Sequence, residues 1–203
     1  ISTMDGTADE IYANSLSAGQ EKNEKLIGKV LSSGHTSVLE HCYVNLSFEN
    51  VSVLAEQFLI EFRLASFTVK SRRYVDFSKA GYVSPVFTDN VQMAIFERTV
   101  ESLFGTYDVL EAAGVPKEDA RFVLPYCFCS NFFCSMNARE LVHVMNELAY
   151  GRGSRIPELR ALGESLFAQC EQQIPFLAVR KPEAYRQSDA FCLRQVQLLT
   201  SKA

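Results

Sequence analysis

The residues best suited to chemistry in this sequence form one short basic cluster. Eleven residues of a chain with a formal net charge of −4 contain four cations: Arg63, Lys70, Arg72 and Arg73. Hydroxyl groups are interleaved with these cations, on Ser66, Thr68 and Ser71. Guanidinium groups offer paired planar donors and hydroxyl groups add single ones, so the cluster suits a phosphate group. A solvated surface loop paired with acidic neighbours is an equally good interpretation of these residues alone.

Cysteine-rich residues 127–134 suggest a metal site only weakly. On a strand, Cys127 and Cys129 point to one face and Cys134 to the other. No second cysteine pair or histidine pair completes a tetrahedral set. We therefore expect buried cysteines that act as small hydrophobic residues, with no metal site and no cysteine nucleophile.

The three histidines also give weak signals. His143 falls inside a predicted helix and is expected to be structural. His35 and His41 are six residues apart, which is not the i,i+4 spacing of a zinc pair on a helix. Between them, Ser37 and Glu40 fit a helix capping box about as well as a ligand site.

Length and composition limit the class of protein. The 203 residues, 47% of them hydrophobic, fit a single domain over 1–203, with 176–203 as a peripheral tail. No apolar run approaches the roughly 20 residues that cross a bilayer, so no membrane span is expected. The acidic balance also disfavours nucleic acid as a partner. The six cysteines occur without a recognisable signal peptide, which favours a reducing, cytoplasmic compartment.

The periodicity of apolar residues predicts the elements that position the basic cluster. Helices are predicted at about residues 8–31, 51–62, 90–113 and 157–174. Strands are predicted at about residues 42–48 and 126–135. Asn137 is expected to cap a further helix, with Glu140 at the capping-box position. The segment from Leu64 to Tyr74 lacks strong periodicity and is predicted to be an ordered loop.

Four segments, in order along the chain, resemble one known family. Residues 63–74 are similar to the signature of flavin-dependent thymidylate synthases, which reads Arg-His-Arg, seven residues, Ser, one residue, Arg-Tyr. Upstream, residues 34–41 resemble the family's His-x-Ser/Thr-x-x-Glu-His turn. Downstream, residues 120–125 resemble its Ala-Arg-x-x-Leu-Pro segment, and 135–141 its Asn-Ala-Arg-x-Leu helix start. The resemblance extends over about residues 34–175.

The resemblance implies a fold, an assembly and a reaction. The fold would be α+β, a mainly antiparallel sheet flanked by long helices, in a homotetramer whose sites lie where subunits meet. The reaction would transfer the methylene of methylenetetrahydrofolate to C5 of dUMP, giving dTMP, with FAD as cofactor and NADPH as reductant. No cysteine nucleophile is required.

The resemblance also implies roles for particular residues. Ser71 and Arg73 would bind the dUMP phosphate. Arg160 would bind substrate and act in catalysis near the uracil, where negative charge develops as C5 becomes nucleophilic. The positions implied to contact FAD are Ser37, Glu40, Arg63 and Asn146.

One departure from the signature affects the cofactor directly. Glu61 and Phe62 replace the first arginine and the histidine of Arg-His-Arg. An anion and a benzene ring then stand where two polar contacts to FAD are expected, so FAD retention is expected to be weak. Two alternatives follow: a divergent flavin-dependent thymidylate synthase, or a catalytically degenerate relative. The second would be half of a tandem protein or a nucleotide-binding subunit beside an active partner.

Overall fold

The computed structural model describes residues 5–186, and these residues fall into two compact units. A helical unit comprises residues 5–44, 137–154 and 160–186 of the described chain. A sheet unit comprises residues 45–136 and 155–159. The chain therefore passes between the units four times. Whether the chain behaves as one domain stays a prediction.

Seven helices and three strands are described. In chain order they are α1 (Ala8–Ala18), α2 (Gln20–Ser32), β1 (Tyr43–Ser52), α3 (Val53–Leu59), β2 (Ala65–Val69), α4 (Asn90–Ala112), α5 (Lys117–Ala120), β3 (Cys129–Asn137), α6 (Ala138–Ala149) and α7 (Pro157–Gln173). No helix among the described residues is long and apolar enough to span a membrane.

Local sequence signals account for most of these helix ends. The Asn137 side chain accepts a hydrogen bond from the Glu140 backbone N–H at 2.9 Å, which confirms the predicted N-cap of α6. The long predicted helix at 90–113 is also confirmed. The helix predicted over 8–31 is wrong in one respect, because it divides at Gly19. Gly19 has φ 78°, a conformation that glycine adopts at little cost and that ends a helix.

The strands form a three-stranded antiparallel sheet with the order β1-β3-β2, as the fold prediction expects. Strands β2 and β3 pair from Ala65 opposite Met136 to Val69 opposite Phe132. Along β3, Phe132, Cys134 and Met136 are buried while the residues between them are more exposed. This alternation gives the sheet one packed face.

Strand β2 corrects the prediction that residues 64–74 are a loop. Five residues of that segment, Ala65–Val69, form a strand, and only its second part turns. Ala65, Phe67 and Val69 are half-buried and alternate with exposed Ser66 and Thr68. The pattern is short and its outward face is polar, so basic neighbours obscure it in the sequence.

The core of the sheet unit lies under the end of β2. It includes Val53, Phe77, Tyr107, Ala120, Leu124 and Phe128. The rings of Phe77 and Phe128 meet edge to face, with their centroids 5.3 Å apart. This aromatic pair supports the residues that follow β2.

The helical unit packs around α6, on which nine side chains are buried. Its start is tied to the chain before β1, since the backbone N–H of Ala138 donates to the Cys42 carbonyl at 2.7 Å. Within the predicted tail, Leu177 is fully buried, and the backbone at Val179 and Lys181 bonds to Asn146 of α6. Residues 187–203 of that tail lie outside the described part of the chain.

Candidate functional site

Residues 70–74, here called the basic turn, border a shallow cavity of about 310 Å³ in the sheet unit. The lining residues are Glu56, Val69, Lys70, Ser71, Arg72, Arg73 and Arg121. Four cations and one hydroxyl group therefore face a volume that also contains one carboxylate. Such a concentration of donors suits an anion.

Backbone hydrogen bonds shape the basic turn. The Lys70 N–H continues the strand pairing by donating to the Asn131 carbonyl at 3.1 Å. The Val75 N–H then donates to the Ser71 carbonyl at 3.1 Å, and the Arg73 N–H donates to the Ser71 hydroxyl at 3.3 Å. The turn thus begins on a fixed strand and closes on Ser71.

Two of the cavity's cations have their internal partner on Glu118. The Arg73 side chain is 60% exposed, and its Nε lies 3.8 Å from the Glu118 carboxylate. Arg121 uses its Nε to donate to the Glu118 carbonyl at 2.8 Å. Exposed ion pairs of this kind contribute little to stability, so an incoming anion can compete for Arg73.

The other two cations sit on the aromatic pair. The Lys70 Nζ lies 4.9 Å from the centroid of the Phe77 ring, and the Arg72 guanidinium lies 5.6 Å from that of Phe128. Arg72 also donates from Nη2 to the Glu56 carboxylate, which is only 2% exposed. Arg72 is therefore committed to a buried partner, whereas Arg73 stays at the surface.

Sequence reasoning gave no role to Glu56 or to Arg121. Arg121 was noted only as part of the 120–125 segment. Glu56 had one weak sequence signal, a carboxylate among the apolar residues of a short helix, where a buried acid needs a partner. Its pairing with Arg72 could not be read from the sequence because they are 16 residues apart.

Ser37 and Glu40 lie on a short 3₁₀ helix, Thr36–His41, in the helical unit. Its N-cap residue is His35, and no side chain caps it, so the capping-box interpretation of Ser37 and Glu40 is wrong. Glu40 instead pairs with Arg139 in the first turn of α6. Both Ser37 and Glu40 are exposed, and their contact with a cofactor stays a prediction.

Asn146 is fully buried in α6, and both ends of its amide are used. The Nδ2 group donates to the Val142 and Val179 carbonyls, each at 2.8 Å, and Oδ1 accepts from the Lys181 N–H at 2.6 Å. This side chain therefore fastens residues 179–181 to α6. The contact of Asn146 with FAD stays a prediction.

The three signature positions for FAD differ in what they expose. Arg63 is exposed and so is Glu61, whereas Phe62 is 6% exposed and packs edge to face against Phe58. Only one of the three positions thus offers a cation to a pyrophosphate, and the middle position offers no polar atom. Weak FAD retention by this chain stays a prediction.

Arg160, the predicted catalytic cation, is exposed in the first part of α7 and belongs to the helical unit. Ser71, Arg73 and the cavity belong to the sheet unit. The joint action of Arg160 and Arg73 on one ligand stays a prediction.

Burial affects the thiols on and beside β3. Five cysteines are free there, and no cluster of ligands could hold a metal ion among those residues. Burial raises the pKa of Cys134 to about 12 and also raises the pKa of Cys127 and Cys129. These three thiols are therefore protonated at neutral pH and are poor nucleophiles.

Comparisons with a family model and with individual proteins indicate the same family. A family model described as thymidylate synthase complementing protein matches residues 2–176. A flavin-dependent thymidylate synthase from Nitratidesulfovibrio vulgaris is 33% identical over 168 residues, covering 78% of this chain and 68% of the relative. One from Geobacter sulfurreducens is 39% identical over 121 residues, covering 58% and 52% respectively. The chain belongs to the flavin-dependent thymidylate synthase family.

A solved structure supports the fold. The crystal structure of a UMP/dUMP methylase from Streptomyces cacaoi, bound with 5-Br dUMP, matches with a TM-score of 0.65 at 23% identity. The match covers 82% of this chain and 85% of that one. At this identity the likeness establishes the fold alone, and it agrees with the α+β prediction.

Proposed function

We propose that this chain takes part in the reductive methylation of dUMP to dTMP, with methylenetetrahydrofolate as carbon donor and NADPH as reductant. Its own clearest contribution is a site for the phosphate of dUMP at the basic turn. One observation carries this proposal: Ser71, Arg73 and Arg121 line the same cavity directly after β2.

The chemistry of the turn matches a nucleotide phosphate. The Arg73 guanidinium can donate two parallel hydrogen bonds to phosphate oxygens, and the Ser71 hydroxyl can add a third. The nearest carboxylate to Arg73 is 3.8 Å away and largely solvated, so little is lost when an anion replaces it. Lys70 and Arg121 raise the local positive potential in a chain that is acidic as a whole.

Arg160 is the residue proposed to act on the reacting base. Negative charge grows on the uracil as C5 becomes nucleophilic, and a cation beside it stabilises that state more than the ground state. Arg160 is exposed and has the reach of a long side chain. We assign it this role on the family resemblance of its segment.

A second candidate function follows from Glu61 and Phe62. The flavin positions of this chain fit FAD poorly, so we derive no step through that cofactor. A nucleotide-binding, catalytically degenerate subunit would keep the basic turn and lose the flavin contacts. It would act as half of a tandem protein or beside an active partner, in either case in the cytoplasm and most simply within a homotetramer.

An activity assay beside a binding assay separates the two candidates. The purified chain is supplied with FAD, NADPH, methylenetetrahydrofolate and dUMP, and dTMP is measured by chromatography. Calorimetry measures dUMP binding in the same preparation. Formation of dTMP supports the synthase, whereas dUMP binding without dTMP supports the degenerate subunit. Absence of both contradicts the proposal.

A substitution at Glu61 tests directly whether this residue weakens FAD binding. Glu61→Arg replaces an exposed anion with the cation of the signature, so we expect bound flavin to increase by at least about tenfold when a like-charge repulsion becomes an attraction. Absorbance of the desalted protein near the visible flavin band measures the bound fraction. Phe62→His is the less informative partner change, because it buries an imidazole in an apolar site. Wild-type protein that already carries stoichiometric flavin would contradict the proposal that Glu61 and Phe62 weaken FAD binding.

A further inference from the structure

A buried carboxylate lies beneath the basic turn. Glu56 is 2% exposed in the middle of α3, where its neighbours Ala55 and Leu59 are buried in the core. It nevertheless lines the cavity that the turn borders. An acid in such a place is stable only when it is paired and hydrogen-bonded.

Glu56 is satisfied from three directions. Oε1 accepts from Arg72 Nη2 in the turn and from Gln57 Nε2 at 3.2 Å, while Oε2 accepts from the Ser130 hydroxyl on β3. The single carboxylate therefore connects α3, β3 and the turn. Gln57 lies on a helix and Ser130 on a strand, so these two contacts hold the carboxylate in place against the turn.

The contact with Arg72 determines which cation of the turn is available. The Arg72 guanidinium is held between the Glu56 carboxylate and the Phe128 ring, and its side chain is 20% exposed. Arg73, the next residue, has a side chain that is 60% exposed. The turn is thus anchored by one arginine and presents the other.

We propose that Glu56 is a positioning residue for the phosphate site, which it holds in shape through Arg72. It does not contact the ligand in this role. It fixes the turn on which Ser71 and Arg73 are presented. That the ligand is dUMP rests on the function proposed above. That Glu56 orders the turn is independent of the identity of the ligand. The opposite role is also testable: if Glu56 withheld Arg72 from the phosphate, removing Glu56 would strengthen binding.

Hydrogen exchange tests the ordering of the turn without any ligand. In Glu56→Gln, we expect backbone amides 71–75 to exchange at least about tenfold faster than in wild type, because local opening becomes easier. The matched control is Glu111→Gln, which breaks another partly buried ion pair of the sheet unit, with Lys117, and does not line the cavity. Unchanged exchange at 71–75 in Glu56→Gln overturns the proposal.

Calorimetry with dUMP and deoxyuridine tests the consequence for the phosphate. The Kd of deoxyuridine divided by the Kd of dUMP measures how much the phosphate contributes to binding. A general loss of stability does not change this ratio. We expect Glu56→Gln to lower the ratio by about tenfold and Glu111→Gln to leave it unchanged. An unchanged or increased ratio in Glu56→Gln contradicts the proposal.

A double variant covers the case in which Glu56→Gln does not fold. Glu56→Gln with Arg72→Met leaves no unpaired buried charge and keeps an acceptor for Ser130. We expect the double variant to fold, to exchange quickly at backbone amides 71–75 and to lose the preference for dUMP over deoxyuridine. If it keeps both the slow exchange and the preference of the wild type, the proposed role of Glu56 is wrong. If wild type itself does not prefer dUMP, the proposed function fails, and the exchange result alone decides whether Glu56 orders the turn.

Discussion

Adjacent arginines have different tasks in the basic turn. Arg72 pairs with a buried carboxylate, while Arg73 has only a solvated carboxylate at 3.8 Å. A charge buried with its partner is expensive to remove, whereas a solvated charge is free to bind. Residue type alone therefore does not identify a ligand-binding arginine. The partner of each guanidinium does.

Cys134 provides a prediction with a defined pH dependence. Its folded-state pKa is raised to about 12 from 9.0 because the thiol is buried. Above pH 9 the unfolded thiol loses its proton and the folded one keeps it, so the stability from this group is complete below pH 9 and declines towards pH 12. The expected slope is about 1.4 kcal/mol per pH unit between those values.

Denaturant unfolding at several pH values between 8 and 10.5 measures this slope. The stability advantage of wild type over Cys134→Ala should narrow as the pH rises above 9. Met136→Leu is the control, since Met136 is buried on the same strand face and does not titrate. A wild-type advantage over Cys134→Ala that is constant with pH would show that the thiol ionises equally in both states.

Individual residues of the site were predictable to different degrees. Ser71 and Arg73 could be placed in one turn because they are neighbours in a recognisable pattern. Glu56 and Ser130 could not, because their contacts join segments that are distant in sequence. Phe62 differs again: the sequence indicated a lost imidazole, but only the structure shows that its ring is buried.

The close packing of α6 and α7 gives a prediction at the scale of elements. A Cβ atom on Gly163 would lie 2.8 Å from both the Ala149 nitrogen and the Leu148 Cβ. Gly163→Ala should therefore destabilise the protein by about 1–3 kcal/mol through overpacking. Denaturant unfolding gives the difference.

Gly28→Ala is the matched control for this change. Gly28 lies in α2, where an added Cβ would meet nothing within 4 Å. Alanine has the higher helix propensity, so Gly28→Ala should be neutral or stabilising by up to about 1 kcal/mol. Equal effects of the two substitutions would contradict the packing argument.

Elements with a long, repeated pattern were the most predictable. Helix α4 appears where its long apolar period indicated it, and α6 begins at the Asn137 cap that the sequence indicated. Strand β2 was missed because five residues with an exposed polar face carry too little pattern. Its identity depends on pairing with β3, 67 residues away at Phe67 and Cys134, and sequence spacing does not contain that contact.

The surface of α4 leads to a prediction for the whole molecule. Val91, Ile95 and Val109 are 65%, 51% and 68% exposed on this helix. Exposed apolar side chains concentrated on one element are typical of a surface that another chain covers. We expect light scattering to show an assembly larger than one chain of 22.8 kDa, most simply a tetramer. A monomer at micromolar concentration would contradict this expectation and any site completed by a second subunit.

The central claim is that the basic turn binds the phosphate of dUMP, and one titration tests it most directly. Calorimetry measures dUMP and deoxyuridine binding to wild type, to Arg73→Ala and to Arg98→Ala, an exposed arginine of the sheet unit that does not line the cavity. Hydrogen bonds to a charged group contribute about 1.5–3 kcal/mol, so Arg73→Ala should weaken dUMP binding by about 10- to 150-fold. Arg73→Ala should leave deoxyuridine binding little changed, and Arg98→Ala should leave the affinity for dUMP little changed. Equal dUMP affinity in wild type and Arg73→Ala, or no preference of wild type for dUMP over deoxyuridine, would contradict the assignment of the phosphate site.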